Sequence, residues 1–417
     1  MPICMEAKME PNKKKKKKPG KWTKFRHRIV RNVLFFLLVP YIKWKYHVKV
    51  ERYKAKGKRP YLILMNHQTA FDQFFVGMAF KGPIYYVASE DLFSKGWISS
   101  IIRYLVAPIP IKKQTTDVRA IMNCLKVARE GGTIAMAPEG NRTFSGRLEH
   151  MNPAVAPLAR KLNMPIALFR IEGGYGVQPR WSNVVRKGKM RAYVSRVLEP
   201  EEYKNLSDEE LFQLIREELN VNEGCVCGEF HHKKLAEYME RLVYVCPKCG
   251  LSHFESHLDT VTCQKCGQTV RYLPTKELEG VATAFPFRFM TEWYAYQNDF
   301  INQLDTAAYY DTPMYEDTVK FFEVIPYKNK VLLEKSARVL LYGNKIVIIE
   351  KEGERTFLFD ETSAVTILGR NKINIYFDKR IYQLKGPKPM NGVKYVNIFN
   401  RYLNQKRGEE NVEFLGL

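Results

Sequence analysis

Acidic residues are scarce at one end of this chain. The first 60 residues hold three Glu and no Asp against twenty Lys and Arg, a local balance of +17, so the remaining residues carry only +6 of the total +23. Near-balance over most of the chain argues against a broad groove for a nucleic-acid backbone, which needs many cationic contacts. Long hydrophobic runs are missing as well. Within the basic region the apolar stretch Leu34-Phe35-Phe36-Leu37-Leu38-Val39 stops at Pro40, well short of the roughly twenty residues a spanning helix requires. No small-residue cleavage site follows it; Lys43-Trp44-Lys45 does, which argues against a signal peptide. Cysteine is sparse, eight residues in 417, and four of the eight fall in two short knuckles.

What the N-terminal region does contain, over residues 1–48, is an unbroken lysine run, Lys13 to Lys18, closed by Pro19-Gly20, and then an apolar periodicity. Like-charge runs stay solvated. From Lys21 to Tyr46, Trp22, Phe25, Ile29, Val33 and Phe36 recur at three- and four-residue steps with Lys24, Arg26, Arg28 and Arg31 between them. That pattern predicts a basic amphipathic helix lying in a membrane interface, with Trp22, Trp44 and Tyr46 at the headgroup level. The competing reading is a basic tail for nucleic acid, which has no need of the aliphatic run.

Two later stretches carry chemistry. The strand-like run Tyr61-Leu62-Ile63-Leu64-Met65 delivers Asn66-His67-Gln68-Thr69-Ala70-Phe71-Asp72, and ligands of α/β units gather at the carboxyl ends of strands. Five residues apart on one regular helix, His67 and Asp72 would point about 140° away from each other. They meet only if His67 lies in the loop and Asp72 in the first turn of the helix. A carboxylate on one ring nitrogen fixes the tautomer and leaves the other as a base. The alternative is a capping network in which Asn66 or Thr69 caps the helix and Asp72 complements its positive end. A second strand-like run, Thr133 to Ala137, ends in Pro138-Glu139-Gly140-Asn141-Arg142-Thr143. Arg142 offers a planar fork for phosphate oxygens, and Gly140 permits a turn that other residues resist. A surface arginine and an ordinary ion pair are the bland readings of Arg142 and Glu139.

H-x4-D followed by P-E-G-x-R resembles the glycerophospholipid acyltransferase family, in its 1-acylglycerol-3-phosphate acyltransferase branch. Ala107-Pro108-Ile109-Pro110-Ile111-Lys112-Lys113 matches the family's second block, G-x-x-F-I-x-R, with Ala107, Pro110 and Lys113 in place of Gly, Phe and Arg. Asn141 stands where Thr is common, and Met164-Pro165-Ile166-Ala167-Leu168 matches the fourth block. The resemblance covers roughly residues 50 to 220. It implies an α/β acyltransferase domain over 49–222, with His67 and Asp72 catalytic and Glu139, Gly140, Arg142 and Lys113 holding the acceptor. It also implies that the neighbourhood of Trp97–Leu105 lines the acyl-chain route, although an ordinary packed helix accounts equally well for that apolar spacing. Glu172-Gly173-Gly174, at the end of a further strand, is expected near the site.

Beyond that domain, Cys246-Pro247-Lys248-Cys249-Gly250 and Cys263-Gln264-Lys265-Cys266-Gly267 look like the paired knuckles of a zinc ribbon over 240–275. Zinc takes four soft ligands in a tetrahedron, and each knuckle supplies two. Redox dithiols or disulfides are the alternatives; a chain facing the cytosol keeps its thiols reduced. Cys225, Cys227, His231 and His232 lack the further ligands of a second site. Residues 280–417 begin with an aromatic-rich helix, Arg288 to Asp305, and then predict seven strands and a closing helix, Val393 to Gln405. This mostly-β domain resembles a pleckstrin-homology or GRAM-like barrel, and fold alone names no ligand. The chain thus reads as a monotopic or peripheral enzyme on the cytoplasmic face of an anionic membrane. It would move a fatty acyl group from acyl-CoA or acyl carrier protein to 1-acylglycerol 3-phosphate, giving phosphatidic acid, with structural zinc and no catalytic cofactor. Another lysophospholipid acceptor, or a non-catalytic membrane-docked adaptor, is the alternative; no nucleic-acid partner is expected.

Overall fold

The computed structural model describes residues 20–409, apart from 56, 58, 95, 112–116, 225, 326 and 327, together with Phe414. Lys13–Lys18, Lys113 and Cys225 therefore lie outside the described residues. Helix α1 (Phe25–Tyr46) ends where His47 turns left-handed and donates its N–H to Lys43 O at 2.9 Å. Strand β1 (Val48–Val50) follows, and the α/β unit then runs β2 (Leu62–Met65), α2 (Asp72–Ala79), β3 (Ile84–Ser89), α3 (Trp97–Val106), β4 (Ile109–Ile111), α4 (Val118–Arg129), β5 (Thr133–Met136), α5 (Val155–Leu162), β6 (Ile166–Glu172), α6 (Gly174–Val177), β7 (Met190–Leu198), α7 (Pro200–Tyr203) and α8 (Asp208–Leu219).

The seven strands form one sheet in the order β1-β7-β6-β2-β5-β3-β4, parallel except where β6 meets β7. Central β2 is buried at every position, as a parallel strand covered on both faces must be. Its two-residue period divides it between two cores. Leu62 and Leu64 pack with Ile134, Leu168 and residues of α4, α5 and α8, whereas Ile63 and Met65 pack with Phe75, Phe169 and the end of α1. Local chemistry sets the helix ends. Asp117 accepts from Ala120 N at 3.1 Å to start α4, and Ser207 and Glu210 form the reciprocal capping box of α8.

Three strands had no clear signal in the sequence. β1 and β4 are three residues each, and β7 interleaves buried Met190 and Ala192 with Arg191 and Tyr193. The second block thus contributes an edge strand, entered through a left-handed Ala107 (φ 43°). α1 also differs from expectation. It starts at Phe25, and Trp22 is turned onto the α/β core, donating its Nε1–H to Ala107 O at 2.9 Å. Tyr46 is fully buried against Phe71 and Phe75. Neither residue faces outward, because the helix uses both ends to hold itself on the sheet.

Strands β8 (Val245–Cys246) and β9 (Gly250–Leu251) pair as a hairpin, and β10 (Phe254–His257), β11 (Thr260–Cys263), β12 (Thr269–Tyr272) and β13 (Leu278–Gly280) form an antiparallel sheet. Helix α9 (Met290–Asn302) leads into seven antiparallel strands, β14 (Tyr315–Val324), β15 (Lys330–Leu341), β16 (Lys345–Glu350), β17 (Gly353–Leu358), β18 (Thr362–Leu368), β19 (Lys372–Phe377) and β20 (Arg380–Lys385), closed by α10 (Val393–Lys406). Their spatial order is β17-β16-β15-β14-β20-β19-β18. Seven strands and a final helix are what the alternating pattern predicts. One continuous core joins Trp293 of α9, Val261 and Tyr272 of the cysteine region, Phe321 and Ile367 of the β domain, and Phe144 and Trp181 of the α/β unit. The C-terminal half is therefore packed onto the α/β unit through apolar contact.

Candidate active site

The loop after β2 is fastened at each step. Asn66 accepts from Ile171 N at 2.8 Å and donates to Ile171 O at 2.9 Å, tying the loop to the end of β6. The His67 N–H donates to Glu139 Oε1 at 2.8 Å, and His67 O accepts from Thr143 N at 3.1 Å, which clamps the loop after β5 onto the histidine backbone. Asp72 opens α2 and is fully buried. Its carboxylate accepts from Gln68 N (2.6 Å), Thr69 N (2.9 Å) and Thr69 Oγ1 (2.6 Å), and from His67 Nδ1 at 2.8 Å. Asp72 thus orients the ring from the first turn of α2, whereas neither Asn66 nor Thr69 caps that helix: Asn66 is spent on Ile171, and no side-chain cap bond opens α2. With Nδ1 donating to a buried carboxylate, the ring proton sits on Nδ1 and Nε2 is left as an acceptor. The His67 side chain keeps about a quarter of its surface open.

Glu139 is not free to act on a substrate. Burial pushes its carboxyl well above the usual carboxylate range, partly opposed by the His67 N–H it accepts. It positions the loop. Gly140 has φ +69°, where a side chain would be strained. Arg142 follows in the same turn. Burial, then the positive charge of Arg370, pulls its guanidinium down to about 10, while Asp72 and Tyr46 oppose the fall. Its Nη1 is closed to solvent and has no protein partner among the described residues. Gly174 completes the wall: a Cβ there would lie 2.6 Å from Gln68 Cβ, so only glycine lets α6 approach the histidine loop.

The structure also brings in residues that the sequence reading did not single out. Glu149 Oε1 accepts from Phe144 N (2.8 Å), Ser145 N (3.1 Å) and Thr143 Oγ1 (3.2 Å), folding the chain directly after Arg142. Arg180, 2% exposed, donates Nη1 to Arg142 O at 2.9 Å and lies 4.0 Å over the Phe144 ring. Arg370 comes from the β18–β19 turn and donates Nε to Arg180 O at 3.2 Å. No local pattern marks these three; each is fixed by tertiary contact.

Cys246, Cys249, Cys263 and Cys266 converge, with their Sγ atoms all within 4.8 Å of one another. Cys246 to Cys266 and Cys249 to Cys263 are each 3.6 Å. A disulfide would need about 2.05 Å, whereas zinc–sulfur bonds of about 2.3 Å in a tetrahedron set sulfurs about 3.8 Å apart. The donor set fits a structural metal. Among the described residues no other such cluster occurs. Cys227 is exposed, His231 pairs with Glu229 at 2.9 Å, and His232 Nδ1 accepts from Lys234 N.

Residues 46–171, which carry both loops, match the family model described as Acyltransferase, and this stretch is an acyltransferase-type domain. The chain is similar to 1-acyl-sn-glycerol-3-phosphate acyltransferase of Bacillus subtilis (strain 168), 24% identical over 138 residues, which cover 33% of this chain and 65% of that protein. It is also similar to the chloroplastic 1-acyl-sn-glycerol-3-phosphate acyltransferase BAT2 of Brassica napus, 22% identical over 144 residues, covering 33% of this chain and 40% of that one. The match thus spans less than two thirds of either relative. The crystal structure of the 1-acyl-sn-glycerophosphate (LPA) acyltransferase PlsC from Thermotoga maritima is similar over 48% of this chain and 79% of its own, with 21% identity and a TM-score of 0.39.

Proposed function

We propose that this chain is a membrane-associated O-acyltransferase of phospholipid biosynthesis, acylating 1-acylglycerol 3-phosphate to phosphatidic acid. The observation that carries the reading is a histidine held through Nδ1 by a buried aspartate, beside an arginine whose Nη1 has no partner among the described residues. His67 Nε2 takes the proton from the acceptor hydroxyl as its oxygen attacks the thioester carbonyl of acyl-CoA or acyl carrier protein. The new ester C–O bond forms, the C–S bond breaks, and the leaving thiolate recovers the proton from the imidazolium. Asp72 stabilises that imidazolium without itself taking the proton. Arg142 binds the acceptor phosphate, while Glu139 and Gly140 shape its loop. Lys113 is assigned the same phosphate role from the sequence match alone.

The rest of the chain fits an enzyme working at an interface. No helix among the described residues is long and apolar enough to cross a membrane. Phe25, Ile29, Val33, Phe36, Leu37 and Trp44 nevertheless stand exposed along α1, and Trp97, Ile98, Ile101 and Tyr104 stand exposed on α3, which packs beside it. Together they make an apolar face suited to the headgroup–acyl boundary of a cytoplasmic leaflet, with the lysine run attracted to anionic lipid. Cys246, Cys249, Cys263 and Cys266 would hold a structural zinc with all four positions filled. The strand order of the C-terminal domain suits the pleckstrin-homology or GRAM-like reading. The test is a radiolabelled acyl-transfer assay with purified protein and a panel of lysolipids on vesicles. Transfer to 1-acylglycerol 3-phosphate above other acceptors is expected; no transfer to any acceptor from either donor supports the adaptor instead.

A further inference from the structure

The C-terminal β domain reaches the active-site loops at one turn, and a buried arginine makes the join. Arg180 donates Nε to Gly369 O at 3.0 Å and Nη2 to Ile367 O at 3.3 Å, while its Nη1 holds Arg142 O at 2.9 Å. One side chain therefore brackets two loops that are more than 200 residues apart in sequence. Arg370 answers by donating Nε to Arg180 O at 3.2 Å. This uses Nε alone; neither Nη atom of Arg370 has a protein partner among the described residues.

Building on the reading that a phosphate-bearing acceptor sits beside His67, we infer that Arg370 is a binding residue for the acceptor phosphate. With Arg142 it completes a two-arginine anion site that neither domain holds alone. The unpaired positive charge suits a partner of this kind. Among the described residues neither Arg142 nor Arg370 forms an ion pair, and Asp72, the carboxylate whose charge supports Arg142, is taken by His67 and three further hydrogen bonds. Like charges so placed repel. Besides burial, the charge of Arg370 is among the causes that lower Arg142 to about 10 and Arg180 to about 9. A phosphomonoester carries close to two negative charges and three acceptor oxygens, which suits two guanidinium forks. Tyr46, buried beside both arginines, donates to Gln178 Oε1 at 3.2 Å and so adds no competing negative charge. The C-terminal domain, on this account, helps choose the substrate.

Arg370→Gln and Arg370→Lys in the full chain, compared on 1-acylglycerol 3-phosphate and on uncharged monoacylglycerol, separate binding from stapling. Losing a charge-assisted bond predicts a rise in KM for the phosphate acceptor of roughly tenfold or more in Arg370→Gln. The kcat, the KM for acyl-CoA and the rate on monoacylglycerol should stay within about twofold, and Arg370→Lys should recover part of the loss. Thermal stabilisation by glycerol 3-phosphate, read on wild type and variant alike, gives the same answer independently of turnover and should be lost in Arg370→Gln. Equal damage to both acceptors, or a rise in the KM of acyl-CoA instead, overturns the inference. So does undiminished stabilisation of the variant by glycerol 3-phosphate. If wild type itself uses no phosphate acceptor, it is the underlying functional reading that fails.

Discussion

At the scale of single residues, the site depends on one carboxylate with four donors pointed at it. Asp72→Asn is close to isosteric but replaces one acceptor oxygen with a donor. If the amide oxygen keeps Thr69 N and Thr69 Oγ1, the NH2 faces Gln68 N–H and His67 Nδ1–H. Relief comes only by moving the imidazole proton to Nε2, which removes the base. The variant should therefore lose turnover by a factor on the order of 10⁴ and also lose about 1–3 kcal/mol of stability for each buried donor left unpaired, read by denaturant melts. His67, Asp72, Glu139, Gly140 and Arg142 were legible because each group of polar residues follows directly on an apolar strand. Arg180 and Arg370 were not. Arg370 meets Arg180 across 190 positions, and nothing in a hairpin turn reading Gly369-Arg370-Asn371 shows what it will lie against.

At the scale of elements, α1 was legible as a helix, but its sides became assignable only with the sheet in place. Phe35 touches Gly77 and Leu38 packs with the core, whereas Phe36, Leu37 and Trp44 are 81%, 61% and 72% exposed. Replacing those three with Ser should leave melting unchanged and release the protein from anionic vesicles even at high salt, since apolar insertion is not screened. Removing Lys13 to Lys18 should weaken binding at low salt only, because charge is screened over about 8 Å at physiological ionic strength. Flotation distinguishes the two. A serine triple variant that stays bound at high salt would mean that α1 is no anchor. The cysteine knuckles were readable from their spacing. Purified protein should contain about one zinc per chain, and Cys246→Ser should lose it, by elemental analysis. Strands β1, β4 and β7 escaped notice because three residues carry no period, and because β7 mixes charge into its alternation.

At the scale of the whole molecule, buried acids tie stability to pH. Burial raises the carboxyls of Glu139 and Glu149, and burial, partly offset by Lys276, pushes Glu223 up to about 7. A raised acid holds its proton in the folded state after the unfolded chain has released it. Its contribution is complete below the unfolded value near 4.5 and is lost as pH climbs through the folded value. Melting temperature should therefore fall between about pH 5 and 8. Glu223→Gln should flatten that fall by an amount on the order of 3 kcal/mol at most; an unchanged slope would mean that Glu223 stays ionised. The succession of elements, strands alternating with helices and later strands following strands, was legible from changes in hydrophobic period. The shared core was not, since apolar residues such as Trp181, Trp293 and Phe321 do not announce which neighbouring unit they will meet.

The central claim, that His67 is the base of an acyl transfer, is tested most directly by single-turnover transfer of a radiolabelled acyl group to 1-acylglycerol 3-phosphate by wild type and His67→Ala, with melting curves measured on the same samples. Matched melting and a rate lower by about 10²–10⁴-fold are expected. Equal rates from two equally folded proteins would contradict the claim.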